Sequence, residues 1–244
     1  MNLLASHPSW AITASLPSAT LAERAYAQIK QLIFDFVLLP GDRFSESDLA
    51  NQVQVSRTPL RQALQRLQRE GFLLVFPKSG WQVAPLDFEV FDQLYDLRVL
   101  LETHAVARLC EAESRPYLSH LADTWLGKVE PHPVGLCVDQ LDEAFHSALV
   151  QSTGNQEMVR VHGDINERIR IIRRLDFTKP ARVEATYDEH ARILRAITRR
   201  RADEAVRLLR AHIEQSKLEV RHITLDMLYQ ARQRVRGLKS AAGP

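Results

Sequence analysis

The chain has little that would staple it together or anchor it. Only two of its 244 residues are cysteine, Cys110 and Cys137, too few for a disulfide framework and without the C-x-x-C spacing of a zinc or redox site. Two reduced thiols in a cytoplasmic protein are the expected reading. No apolar run approaches the roughly 18–20 residues needed to span a bilayer. Residues 1–20 contain no Lys or Arg, so the basic start of a secretory signal is missing, and they read as a loose leader rich in Ser, Ala and Pro. Charge of one sign is also scarce: 32 Lys and Arg face 30 Asp and Glu, a net charge of only +2. Bulk charge therefore does not mark a nucleic-acid binder, and its distribution must be read instead. With 45% apolar and 25% charged residues, the balance is that of an ordinary globular protein. The length allows one large domain or two smaller ones.

A small basic module comes first, over residues 21–85. Leu21, Ala25, Ile29, Leu32, Ile33 and Phe36 form one helical stripe, and Pro40-Gly41-Asp42 is a turn signal. Ser45-Glu46-Ser47-Asp48 resembles a capping box opening a short helix with Leu49, Ala50 and Val53; Gln54-Val55 forms the turn after it. Ser56 is expected to cap the next helix through its hydroxyl, with Pro59 in the first turn. Leu60, Ala63, Leu64 and Leu67 make its buried stripe, and Gly71 its stop. The opposite face carries Arg57, Thr58, Arg61, Gln62, Gln65, Arg66 and Arg69, with no acid before Glu70. Residues 72–76 and 81–84 are β-prone runs around Pro77-Lys78-Ser79-Gly80, a hairpin pattern. Helix, helix–turn–helix, hairpin is a winged helix-turn-helix layout.

That layout suits duplex DNA. A helix about 10–12 Å across fills the major groove. Arginine meets guanine O6 and N7 in bidentate fashion, and glutamine does the same for adenine. Ser56, Thr58 and the helix N-terminus suit phosphate, and Lys78 at the wing tip reaches a phosphate or the minor groove. A single basic helix is more often a solvated face; here it is the second helix of a helix–turn–helix, followed by a hairpin with a basic tip. The stretch Pro40-Gly41-Asp42-Arg43-Phe44-Ser45-Glu46-Ser47-Asp48-Leu49-Ala50, followed by Val55-Ser56-Arg57-Thr58-Pro59-Leu60-Arg61-Gln62-Ala63-Leu64, closely resembles the GntR family of bacterial transcription regulators. The resemblance implies that Arg57, Thr58 and Arg61 carry the main operator contacts and that Gly80 shapes the wing. Ser47 departs from the pattern, standing where many relatives carry a DNA-contacting arginine.

A larger module over residues 86–230 reads as entirely helical, with segments expected at 88–110, 115–126, 136–151, 156–175, 181–198 and 202–227. No repeat of 20–50 residues is visible. The part to Pro85 holds 8 basic and 6 acidic residues, leaving 24 of each, so the net charge resides in the first module. Asp142 and His146, at i and i+4, share one helix face. His190 and His212 each lie 11 positions from a turn centred near residue 201, so an antiparallel pair sets them at one level. One carboxylate and three imidazoles suit a divalent ion such as Zn²⁺, Ni²⁺ or Mn²⁺, with positions left open for a ligand. The chain has nine histidines, and the same spacing also fits buried histidines hydrogen-bonded to their neighbours.

Leu141-Asp142-Glu143-Ala144-Phe145-His146, Ser152-Thr153-Gly154-Asn155, Glu189-His190-Ala191-Arg192-Ile193-Leu194 and Leu209-Arg210-Ala211-His212-Ile213 resemble the FCD effector domain of FadR-type GntR regulators. The resemblance implies that Asp142, His146, His190 and His212 bind a divalent metal that helps hold a small carboxylate. Arg98, in a segment that also resembles the opening of that domain, is a candidate carboxylate contact; an ion pair with Glu102 at i, i+4 is the alternative. The expected fold is mainly α: an N-terminal winged helix-turn-helix and a C-terminal all-α FCD-type bundle, with residues 231–244 as a basic tail. The expected function is a ligand-responsive regulator, repression being the commoner mode in such a family. It would bind double-stranded operator DNA as a homodimer, answer to a small carboxylate effector, and have no membrane partner or catalytic role. A metal-dependent hydrolase or lyase fused to a DNA-binding head, and a ligand-free architectural DNA-binding protein, remain open at this level.

Overall fold

The structure, a computed structural model, describes residues 19–77, 79–113, 118–126, 138–177, 179–222, 227–230 and 233. Lys78, Cys137, most of the 1–20 leader and nearly all of the 231–244 tail lie outside the described residues. The chain divides into two compact units.

The first unit takes the chain up to Leu32 together with Asp42–Val83. Its first helix, α1 (Leu21–Phe34), opens on a capping box: Thr20 Oγ1 accepts from the Glu23 amide at 3.2 Å, and Glu23 Oε2 accepts from the Thr20 amide at 2.8 Å. Ala25 and Ile29 are buried as expected, but Leu21 is 55% exposed in the first turn. A two-residue strand β1 (Arg43–Phe44) precedes α2 (Glu46–Val53). Ser45 caps α2, its hydroxyl accepting from the Asp48 amide at 3.1 Å. The recognition helix is α3 (Arg57–Arg69), which buries Leu60, Ala63, Leu64 and Leu67. It ends in a Schellman motif, with the Phe72 amide on the Leu67 carbonyl, the Gly71 amide on that of Gln68, and Gly71 at φ +84°.

Two expectations need correction. Ser56 holds the N-cap position of α3, but its side chain makes no capping hydrogen bond. The N-cap oxygen ordinarily accepts from N2 or N3, and here N3 is Pro59, which has no N–H. The wing also has a third strand. β2 (Leu73–Phe76) and β3 (Gly80–Val83) form the expected hairpin, and β1 adds to β3 to give the order β1-β3-β2, all antiparallel. Two residues are too few to show alternation, so β1 leaves no periodic signal in the sequence.

The second unit takes Ile33–Gly41 and the chain from Ala84 onward. Its helices are α4 (Phe88–Glu111), α5 (Leu118–Trp125), α6 (Val138–Gln151), α7 (Gln156–Asp176), α8 (Pro180–Thr198) and α9 (Ala202–Val220). α4 is the central one, packing on α6, α7, α8 and α9. Its burial runs round a broad face that includes Arg98 and Glu102 as well as Leu94, Val99 and Val106. Asn155 caps α7, accepting from the Glu157 and Met158 amides at 3.1 Å. α9 stops at Val220 rather than running to 227. Cys110 is buried.

Two glycines should respond in opposite directions to alanine. Gly80 has φ +91°, and a Cβ there would lie 2.7 Å from the Phe44 carbonyl oxygen, pushing β1 off β3. Gly80→Ala is expected to cost about 1–3 kcal/mol. Gly163 sits inside α7 with nothing within 4 Å of an added Cβ, so Gly163→Ala should add about 0.5–1 kcal/mol. Denaturant unfolding of both variants checks the pair.

Candidate metal centre and nucleic-acid interface

Four side chains converge inside the helical unit. Asp142 and His146 lie one turn apart on α6 and are both buried. His190 on α8 and His212 on α9 meet them from a tight hairpin, in which Arg200 takes a left-handed φ of 57° between the two helices. The hairpin sets the two rings at one level, with their Nε2 atoms 3.3 Å apart. His146 Nε2 lies 3.2 Å from His212 Nε2. Asp142 Oδ1 stands 3.2 Å from His190 Nε2, 3.5 Å from His146 Nε2 and 4.0 Å from His212 Nε2. Phe145 stacks on the His190 ring with centroids 3.7 Å apart, and Trp125 packs steeply against it at 4.3 Å.

Carboxylates behind the rings decide which nitrogens face the centre. Glu102 accepts from His146 Nδ1 at 2.5 Å, His162 Nε2 at 2.9 Å and Arg98 Nε at 2.8 Å. Glu189 accepts from His212 Nδ1 at 2.6 Å and Arg182 Nη1 at 2.9 Å. With the protons on Nδ1, His146 and His212 turn bare Nε2 lone pairs inward. Burial would raise the Glu102 carboxyl, but Arg98 and His146 hold it well below the usual range. Burial likewise pushes Glu189 up, and its bonds from His212 and Arg182 bring it down to about 2. All three imidazoles are lowered chiefly by burial, His212 to about 3, so they are neutral at pH 7.

Two imidazole lone pairs therefore face Asp142 Oδ1, itself without a hydrogen-bond partner, in a buried site. A proton on His190 Nε2 can answer only one of these three atoms. A cation answers all of them. Four donors held about 2.0–2.2 Å from one ion stand roughly 3–3.6 Å apart, close to the spacings found here, so the donor set fits a divalent metal.

The outer oxygen of Asp142 pairs with Arg173 Nη2. Close by, Arg98 Nη2 and Arg173 Nη1 are buried with no hydrogen-bond partner. Burial and the neighbouring Arg98 lower Arg173 to about 9. A cavity of about 560 Å³ opens between α8 and α9, lined by Lys179, Arg182, Glu189, Arg192 and His212 among others. It reaches His212 from the side of its Glu189 partner.

In the winged unit, α3 exposes Arg57, Thr58 and Arg61, and the Ser56 hydroxyl at its start is not used as a cap. Arg61 Nε lies 2.7 Å from Glu46 Oε2. Arg66 is turned back on its own domain, over the Tyr26 ring at 3.9 Å and against Glu70 at 2.9 Å. Gly80 brings β3 against β1.

Residues 21–83 match the model of bacterial regulatory proteins of the gntR family, and residues 93–215 match the FCD domain. The chain belongs to the GntR family. The Nta operon transcriptional regulator of Aminobacter aminovorans is 35% identical over 72% of this chain and 82% of its own length. The transcriptional regulator YdhC of Bacillus subtilis is 27% identical over 81% and 90%. Among solved structures, Escherichia coli McbR/YncC has a TM-score of 0.63 at 19% identity, covering 83% of this chain and 98% of its own. A putative GntR regulator from Rhodococcus has a TM-score of 0.65 at 20% identity, with the same coverage. This GntR protein is thus a DNA-binding transcription regulator with a winged helix-turn-helix and a helical FCD effector domain. No helix among the described residues is long and apolar enough to cross a membrane.

In this GntR chain the sequence marks the four side chains that converge, Asp142, His146, His190 and His212, but not the carboxylates behind them. Glu102 was visible only as a possible partner of Arg98, and Glu189 only as a neighbour of His190. His162 is only one of nine histidines in the sequence, and Arg173 only one of four arginines, with Arg168, Arg170 and Arg174, that crowd one helix as possible carboxylate clamps. The usable signal was chemical: a metal-bound imidazole needs an acceptor for its other nitrogen, and Glu189 lies across the hairpin from His212.

Protein purified without an affinity tag or chelator is expected to carry one divalent ion per chain by elemental analysis. Asp142→Ala and His212→Ala should lose it, and Glu102→Gln should weaken it about 10–100-fold in competition with a chromogenic chelator. Parent protein free of metal at every pH above 7 would remove the assignment.

Proposed function

We propose that this GntR protein is a repressor that binds a near-palindromic operator as a homodimer and is released by a small organic acid held at a divalent-metal centre. One observation carries the reading: the buried cluster of Asp142, His146, His190 and His212 lies beside guanidinium nitrogens of Arg98 and Arg173 that have no hydrogen-bond partner. A divalent ion held by those four residues would supply an electrophilic anchor for a carboxylate. Arg98 and Arg173 would donate to the oxygens of the same ligand, the paired geometry at which arginine excels. Phe145 and Trp125 keep water from the His190 side.

Arg57, Thr58 and Arg61 on the exposed face of α3 are the proposed base and backbone contacts. Ser56 and Lys78 are assigned to phosphate, and Gly80 to the shape of the wing. Two half-sites one helical turn apart, or a multiple of it, would match a two-fold dimer. Repression is supported by relatives such as the gluconate operon transcriptional repressor of Bacillus subtilis, 23% identical over 73% of both chains. Against turnover at the metal, Arg170 holds Glu143 at 2.6 and 3.0 Å, and Glu189 is committed to His212 and Arg182, so neither is free to act as a base.

The donors sit on three helices, α6, α8 and α9, so a ligand entering the cluster acts on all three at once. A coupling of about 1–3 kcal/mol, or 5–150-fold in operator affinity, would suffice.

Selection of bound duplexes from a random pool, with and without a panel of small organic acids, tests the proposal. An effective acid should reduce retained operator about 5–150-fold. Arg173→Met should keep operator binding and lose the acid response; equal retention with every acid in metal-loaded protein would remove the effector. Arg57→Ala and Arg61→Ala should each cost about 1–3 kcal/mol and relax base preference, whereas unchanged affinity in both would remove the reading head.

A further inference from the structure

Arg61 does not stand free on the recognition helix. Its Nε lies 2.7 Å from Glu46 Oε2, although the two residues are 15 positions apart and on different helices. The guanidinium is 61% exposed and the carboxylate 23%. An exposed pair of this kind contributes little to stability, so stability does not account for an acid placed at a surface meant for phosphates.

The carboxylate is itself fixed. Glu46 is the first residue of α2, immediately after the Ser45 cap, where a helix favours negative charge. Its other oxygen, Oε1, lies 3.4 Å from the indole N–H of Trp81, a buried residue of the central wing strand. Trp81, Glu46 and Arg61 thus link the wing, α2 and α3 in one chain of contacts. A guanidinium gripped at Nε keeps its two Nη groups as an outward pair of parallel donors. That pair matches guanine O6 and N7 in the major groove.

We infer that Glu46 is a positioning residue for sequence readout: braced by Trp81, it holds Arg61 by Nε so that only the Nη pair addresses the bases. The inference rests on the reading above that Arg61 contacts a base. A loose arginine at this place would bend to any nearby phosphate, and Glu46 opposes that twice, by occupying Nε and by repelling the DNA backbone. Removing it therefore raises affinity for random DNA while lowering discrimination, two effects of opposite sign.

The test uses the full-length protein and a random duplex pool. Arg61→Ala first marks the base position that Arg61 reads, with preference there falling about 5–150-fold. Glu46→Ala is expected to relax that same position while binding more tightly to random duplex. Glu46→Gln keeps an acceptor oxygen and should retain most of the preference. Trp81→Phe, which removes the indole donor and keeps the packing, should relax the same position more weakly and serves if Glu46→Ala does not fold. The Glu46→Ala/Arg61→Ala double variant should show no further loss at that position. If Glu46→Ala raises affinity for all sequences and leaves the base profile intact, Glu46 acts through charge alone and the inference is wrong. If Arg61→Ala leaves the base profile intact, the base-contact reading fails first, and the inference falls with it.

Discussion

Inside the helical domain, imidazole nitrogens and a carboxylate oxygen point at one another across 3.2–4.0 Å, and on His146 and His212 the proton is committed to Nδ1 on the far side of the ring. Lone pairs so arranged repel, and the repulsion is strong where water is excluded. Much of the bundle is built to impose it. Glu102 and Glu189 take the Nδ1 protons of two rings, and Arg173 occupies only the outer oxygen of Asp142. A cation at the centre would convert this mutual repulsion into a tie among α6, α8 and α9. Without one, the same residues would be a costly set of unsatisfied buried groups.

The cost falls on particular helices. α4 contributes no donor to the centre, yet it carries Glu102, which gathers Arg98, His146 and His162 around one carboxylate. α4 is also the helix against which most of the others pack. Orientation of the His146 ring is thereby tied to the main packing surface of the domain rather than to a loop. His212 is tied differently: its acceptor, Glu189, is half-buried and lines an open cavity with Arg182. One ring is braced from the core and another from the solvent side.

Much of this was legible in the sequence, for physical reasons. Helices with long apolar stripes and honest caps announce themselves, as Asn155 and the Gly71 stop do. Equal distance from a tight turn put His190 and His212 at one level, since antiparallel helices of equal rise keep register. What stayed hidden depends on contacts between elements distant in sequence. Glu46 and Arg61 are 15 residues apart, and Glu102 lies 44 from His146. Ser56 differs: its type and position suit a cap, but Pro59 three residues on removes one of its two usual donors. Periodicity shows which face of α3 is exposed, but not that Arg66 folds back onto Tyr26 and Glu70.

The arginines divide by solvent rather than by sequence pattern. Arg98 and Arg173 are buried, each paired with one carboxylate and each keeping a guanidinium nitrogen without a hydrogen-bond partner. On α3, Arg61 and Arg66 are each already paired with a carboxylate, so the exposed face attracts phosphate less than its composition suggests. Counterion release grows with each phosphate neutralised, and a face so damped gains correspondingly little from duplex of arbitrary sequence. In the proposed dimer, useful affinity would then come from donors that meet matching bases and from two heads acting on one duplex. Such an arrangement would rely on fit rather than bulk charge, and a modest displacement of the proposed dimer's two heads would switch it off, because fit, unlike net charge, is lost when they move a few ångströms apart.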